Sequence, residues 1–146
     1  MTIAAKATIQ IQKPVADVFE AIVNPDIMSK YFISESTGRM EKGKELDWRF
    51  PEFPDMNCPV KNIKLEQNKS ISFVWDVGTI VNIHLEEQAD KSVVVKVEET
   101  GKSNDEAGLK WVIQNTEGWA NFLACMKAWL EYNIQLRKGA FDFMRK

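Results

Sequence analysis

The sequence predicts an α+β domain in which a curved, seven-stranded antiparallel sheet is laid against one long C-terminal helix, with two short helices after the first strand. Residues 2–12 and most of 34–100 alternate between apolar and polar side chains, the period of strands with one buried face. The connections within 34–100 are short, so successive strands must be antiparallel neighbours. Beyond Asn115 the apolar residues recur at helical spacing over a span too long for a strand.

The first strand, Thr2 to Gln12, places Ala5, Ala7, Ile9 and Ile11 on one face and Lys6, Thr8, Gln10 and Gln12 on the other. Lys13-Pro14 ends it. Pro14 suits the first turn of a helix, where its missing N–H costs nothing, and Val15, Val18, Phe19 and Ile22 form that helix's apolar face. Asn24-Pro25 stops the helix, and Pro25 with Asp26 opens a second short one to Tyr31. Strands are expected near 34–40, 45–51, 58–67, 70–77, 79–88 and 91–100. The turns fall at Lys42-Gly43-Lys44, Gln67-Asn68-Lys69, Val77-Gly78 and Ala89-Asp90-Lys91, each with a Gly, Asn or Asp. Pro51, Pro54 and Pro59 flank Phe53 and Met56. Proline cannot donate to a ladder, so Pro51 to Cys58 is expected as an irregular, lid-like connection and not a central strand.

Ser103 to Glu106 reads as a capping box that opens a short helical stretch around Leu109, Trp111, Val112 and Ile113. Asn115-Thr116 then reads as the N-cap of the long helix to about Arg137, with Glu117 where the dipole favours an acid. On a helical wheel Trp119, Phe122, Leu123, Cys125, Met126, Trp129, Leu130, Ile134 and Leu136 share one half of the circumference. Asn133 lies among them, and an amide there needs a partner, either backbone at the helix end or a ligand in an otherwise apolar pocket. This broad face requires a broad cover, the inner face of the sheet. Alternation gives that face as Ile9, Ile11, Leu46, Trp48, Phe50, Ile71, Phe73, Trp75, Val81, Ile83, Leu85, Val93, Val95 and Val97. A twisted sheet curls, and one helix about 10 Å wide does not fill the trough along its whole length, which leaves room for a cavity, although close packing in protein interiors by itself favours a solid core. Five Trp, eight Phe and six Met have volume enough to fill it instead, so a cavity and a solid core both stand.

Composition excludes several classes. Apolar residues make up 45% of the chain and charged residues 27%, the balance of a folded domain and not of a disordered one. Lys plus Arg number 19 and Asp plus Glu 21, evenly spread, so no basic half exists to hold nucleic acid. No apolar run nears the roughly 18 residues of a membrane span, and MTIAAKATIQIQKP lacks a signal-peptide core; the cytoplasm is the expected location. Cys58 and Cys125 form no CxxC and, with the single His84, cannot supply a zinc ligand set, so no metal or other cofactor is expected. His84 alternates with Ile83 and Leu85 and faces outward, as do Asp47, Arg49 and Asp76. Nothing near Cys125 in sequence would activate its thiol. No residue is singled out as catalytic.

Four stretches carry a family resemblance: IQKPVADVFEAIVNPDIMSKYF, EKGKELDWRF, SISFVWD and TEGWANFLACMKAWLE. Together with the order of elements they resemble the Hsp90-ATPase-activator-like branch of the START and Bet v 1 superfamily, whose members share the helix-grip fold. The first is similar to the branch's opening, with Val18-Phe19 where Val-Trp is usual, then Asn24-Pro25 and the aromatic pair Tyr31-Phe32. The second resembles its glycine turn and aromatic strand, with Gly43 where two glycines are common. The third matches its Phe-x-Trp strand and the fourth its Gly-Trp helix opening. The likeness runs from about Ile3 to Glu131, so residues 1–146 are expected as one such domain.

The resemblance implies a site for a hydrophobic or aromatic small molecule between the sheet and the last helix. The residues expected to line it are Tyr31, Trp48, Met56, Phe73, Trp75, Trp119, Phe122, Met126, Trp129 and Asn133. Tyr31 and the Trp side chains bring a polar handle each, and Met28, Met56 and Met126 an adaptable wall. Two alternatives accompany this: contact with Hsp90, after the co-chaperone domain that names the branch, and cyclase- or hydrolase-type chemistry in the same pocket.

Overall fold

The alternating stretches form seven strands in a computed structural model that describes residues 1–145. These are β1 (Thr2–Ile11), β2 (Glu35–Ser36), β3 (Leu46–Phe50), β4 (Phe53–Glu66), β5 (Ser70–Val74), β6 (Ile80–Glu87) and β7 (Val93–Ser103). They make one antiparallel sheet in the order β1-β7-β6-β5-β4-β3-β2, so all but the β1–β7 pairing join sequence neighbours. Two short helices, α1 (Val15–Val23) and α2 (Pro25–Met28), follow β1, and a long helix, α3 (Glu106–Tyr132), packs across β1 and β7. This is the expected α+β, helix-grip architecture.

The inward positions given by alternation face the core. Ile11, Leu46, Trp48, Ile71, Phe73, Val81, Ile83, Leu85, Val93, Val95 and Val97 are buried, while Ile9, Phe50 and Trp75 are half-buried. Asn24 caps α2 by accepting from the Asp26 amide at 3.0 Å, which lets Pro25 open the helix.

Three expectations are corrected. First, Pro51 to Cys58 is no irregular lid: Phe53 begins β4, after a tight turn at Pro51-Glu52. Phe50 pairs with Phe53 and Trp48 with Cys58, so β4 bulges between them. Residues 53–60 pair with β3 alone and only 61–66 pair with β5, so Pro54 and Pro59 occupy a stretch with one side unpaired.

Second, the helical segments expected on either side of Asn115 are one helix. Asp105 is its N-cap, accepting from the Gly108 amide at 2.8 Å. Asn115 lies inside the helix because its side-chain amide is engaged elsewhere and does not compete for a cap. The helix stops before Arg137 because Asn133 takes a left-handed conformation (φ 55°). The Asn133 amide donates to the Trp129 carbonyl, the bond of an αL helix end, and the Ile134 amide donates to that of Ala128. Asn133, Ile134 and Leu136 are therefore exposed beyond the helix and do not continue its apolar arc.

Third, the strand expected at 34–40 is reduced to Glu35–Ser36, a short edge that offers little ladder to other chains.

Candidate ligand site

The inward positions of β7 run Val93, Val95, Val97 and then Glu99, a carboxylate with 0% of its surface exposed. Its Oε2 accepts from Trp75 Nε1 at 2.8 Å and Thr79 Oγ1 at 2.9 Å; its Oε1 accepts from Asn115 Nδ2 at 2.8 Å and Trp119 Nε1 at 3.0 Å. Three of the partners, the two indoles and the Asn115 amide, can only donate; the Thr79 hydroxyl also lies 3.4 Å from the Asp76 carbonyl, and none of the four is a cation. Gly101 makes this convergence possible. It is the extra residue in β7 where the β1–β7 register shifts, with φ +127°, and a Cβ there would lie 1.9 Å from the Gly78 carbonyl oxygen. The β5–β6 turn can therefore close onto β7, bringing Trp75 and Thr79 to Glu99. The result is a fixed pair of indoles, Trp75 and Trp119, with centroids 5.1 Å apart and planes tilted by 32°.

These indoles form one wall of a partly open cavity of about 430 Å³. Phe32, after α2, and Phe50 and Phe53, on either side of the β3–β4 turn, form another. Gln114, Asn115 and Gly118 of α3 and Arg137, Phe141 and Met144 beyond it complete the lining with Glu52. Phe32 ties the aromatic cluster together, edge-on to Phe122 at 4.7 Å and to Phe50 at 5.1 Å. Edge-to-face pairs add about 0.5–1.5 kcal/mol each beyond the area they bury.

Glu52 sits in the β3–β4 turn, 6% exposed, and accepts from Arg137 Nη2. The Arg137 guanidinium lies 4.8 Å from the Phe141 centroid, 5.6 Å from that of Phe32 and 5.8 Å from that of Phe50. A cation this desolvated gains about 2 kcal/mol from such faces. Its Nε is buried with no hydrogen-bond partner. The segment after α3 is thus held across the cavity by one ion pair and three rings.

The expected site residues fall into three groups. Trp75 and Trp119 line the cavity. Trp48, Phe73 and Phe122 stand behind them, with centroids 6.3 and 5.9 Å from Trp75 and 5.2 Å from Trp119 respectively. The others lie elsewhere. Tyr31 is buried, donates from its hydroxyl to the Ala21 carbonyl at 2.8 Å and lines a separate void of about 150 Å³; burial pushes its phenol well above the ordinary range. Met126 and Met28 are core residues, and Trp129 is half-buried against the core. Met56 is 63% exposed on β4, and Asn133 is the exposed end of α3, so neither is on the cavity wall.

Sequence reasoning missed Glu99, Glu52, Arg137 and the contribution of Phe32. Glu99 continues the alternation of Val93, Val95 and Val97, a signal that could have found it. Of the aromatic pair Tyr31-Phe32, it is Phe32 that faces this cavity. Arg137 follows the helix end, where no period applies.

Burial pushes the Cys58 thiol up to about 11, with Asp47 and Asp76 adding to the shift, and burial also raises that of Cys125. Neither is a ready thiolate. His84 is exposed on the outer face. Among the described residues no three His, Cys, Asp or Glu side chains converge to hold a metal ion, and no helix is long and apolar enough to cross a membrane.

A family model described as Activator of Hsp90 ATPase homolog 1-like protein matches residues 12–131. Among solved structures, protein SSP2350 from Staphylococcus saprophyticus is similar at 31% identity and a TM-score of 0.81, covering 92% of this chain and 96% of that one. DynU16, a putative protein in the dynemicin biosynthetic locus, has 19% identity and a TM-score of 0.77; the match covers 89% of this chain and 48% of that one. The Aha1 dimer from Colwellia psychrerythraea gives 20% identity, a TM-score of 0.70 and coverage of 89% and 97%. Below 25% identity these likenesses speak for the fold alone. No curated protein sequence matches the chain.

Proposed function

The chain belongs to the Activator of Hsp90 ATPase homolog 1-like family, and on that premise we propose that it binds a flat hydrophobic or aromatic small molecule. The occupant sits between α3, the β3–β4 turn and the segment after α3. The supporting observation is the cavity of about 430 Å³ lined by six aromatic rings, with its few polar groups at Asn115, Gln114 and the Glu52–Arg137 pair. A void of this size and composition, greasy walls with a small number of convergent polar groups, is the usual form of a small-molecule site. Phe73, Trp48 and Phe122 support the rings that touch the guest and do not touch it themselves.

Titration of tryptophan emission and of indole N–H resonances with naphthols, flavonoids and fatty acids tests this. Saturable changes confined to Trp75 and Trp119 are expected, and no saturable change with any of them overturns it. Gly118 offers the matching control. A Cβ added there meets no atom within 4 Å, so Gly118→Leu should fill the cavity mouth and abolish the titration without unfolding the chain.

The family's name supports a second reading, contact with Hsp90. The outer sheet face carries ion pairs such as Lys6–Glu98 and Lys96–Glu86, which suit a transient contact with a charged partner. ATP turnover by Hsp90 with and without this protein decides it: stimulation supports the contact, and unchanged turnover overturns it.

A further inference from the structure

The electrostatics of the cavity carry a statement about its occupant that shape alone does not. Glu99 is a fully buried acid whose two oxygens meet four hydrogen-bonding partners, three of them N–H groups, and no cation. Arg137, the one cation lining the cavity among the described residues, is already paired with Glu52. The site with its immediate backing thus holds two carboxylates and one guanidinium. Three of the four groups that bond Glu99, namely Trp75, Trp119 and Asn115, also line the cavity, so the excess negative charge lies directly behind its wall. An indole whose N–H donates to an anion is polarised toward greater electron density over its ring, and an indole face is already the best aromatic partner for a cation. The chain's own behaviour agrees: the guanidinium of Arg137 rests over Phe141, Phe32 and Phe50.

We propose that the ligand is a planar organic cation, of the quinolinium or similar aromatic-ammonium kind, seated against Trp75 and Trp119 with Glu99 as its buried counter-charge. The proposal rests on the ligand-site reading above and deepens it from any flat apolar guest to one of stated charge. An anionic guest of the same shape meets the uncompensated field of Glu99, and a neutral one gains only burial.

Three probes of nearly one shape test this: N-methylquinolinium, 1-methylnaphthalene and 1-naphthoate, each titrated while the indole N–H resonances are followed. The quinolinium should bind about tenfold more tightly than methylnaphthalene, with naphthoate weakest, and the gap should narrow as salt is raised. Glu99→Gln removes the charge and keeps an oxygen for one indole while its NH2 faces the other, so the readout is the ratio of affinities: whatever the variant costs both probes, quinolinium and methylnaphthalene should come to within about threefold of each other. Should that variant not fold, Arg137→Met decides the matter by the same ratio: whatever the loosened segment costs both probes, removing the one cation should raise the preference for quinolinium over methylnaphthalene several-fold, and an unchanged or smaller preference overturns the charge assignment. Equal affinities for the neutral and cationic probes, or naphthoate binding best, overturn the charge assignment and leave the ligand site standing. Binding by none of the three at millimolar concentration overturns this proposal, and with the titrations above it overturns the site as well.

Discussion

The two ends of β7 differ more than their shared alternation suggests. At one end Val93, Val95 and Val97 point inward, α3 supplies Phe122, Leu123, Cys125 and Met126, and all of these are buried. At the other end the inward residue is Glu99, the helix supplies Asn115, Gly118 and Trp119, and an open cavity of about 430 Å³ remains. Aliphatic side chains have no directional demands and slide together until the space is filled. The indoles cannot: each is held by its N–H to a fixed carboxyl group, and moving out into the open space would break those bonds. The same sheet and the same helix therefore make a solid core where the contacts are non-directional and a cavity where they are directional.

Replacing Glu99 with leucine is the severest test of that contrast. Two indole N–H groups and an amide lose their acceptor at once while the Thr79 hydroxyl keeps the Asp76 carbonyl, and at about 1 kcal/mol each the loss should reach about 3 kcal/mol or more in chemical denaturation. A stable Glu99→Leu variant would mean that the carboxylate does not organise this end. Leu123→Ala probes the opposite end, where a cavity in close packing should cost about 3 kcal/mol and leave ligand titrations unchanged. Arg137→Ala leaves Glu52 without its partner beside the cavity. A loss of about 2 kcal/mol is expected, less than for a pair sealed from water, with faster amide exchange after residue 133.

Gly118→Leu should move stability the other way, by about 0.7 kcal/mol, because leucine is the better helix former and its side chain enters open space. A melting point that falls would show that the cavity end is packed more tightly than its geometry indicates. The smallest effect lies outside both regions. Arg39 bonds Glu20 at 2.7 and 2.8 Å and holds its carboxyl below the ordinary value, while the nearby Asn24 amide acts in the same direction. Because the folded value is the lower one, the pair's stabilisation is present above the unfolded carboxylate's pKa and is lost as pH falls through the folded value. Both side chains are more than a third exposed, so a double-mutant cycle with Glu20→Gln and Arg39→Met should give less than about 1 kcal/mol at neutral pH and nothing measurable at strongly acid pH.

Alternation placed the strands and most of the inner face correctly, because which side a strand buries is decided locally by a period of two. It stopped one inward position short at Glu99, since a charged residue looks like the end of an inward run and its burial depends on partners from the β5–β6 connection and α3. The proline-rich segment was misjudged for a related reason. Whether a proline is tolerated in a strand depends on whether its N–H side has a neighbour, and the offset between β3 and β5 along β4 is not written in the segment itself. Met56 and Asn133 were placed near a pocket by composition and by a wheel carried past the end of the helix.

The sequence by itself determined the order of elements, the antiparallel meander, the buried face of each strand and, through four stretches of likeness, the family. All of these follow from short-range periodicity, turn chemistry and neighbouring residues. Only the tertiary structure decided that the trough is solid at one end and open at the other. It also joined Arg137 to Glu52 across 85 positions and gave one buried carboxyl four partners from the β5–β6 connection and α3. Those outcomes depend on distances between groups far apart in the chain, and no local period encodes such distances.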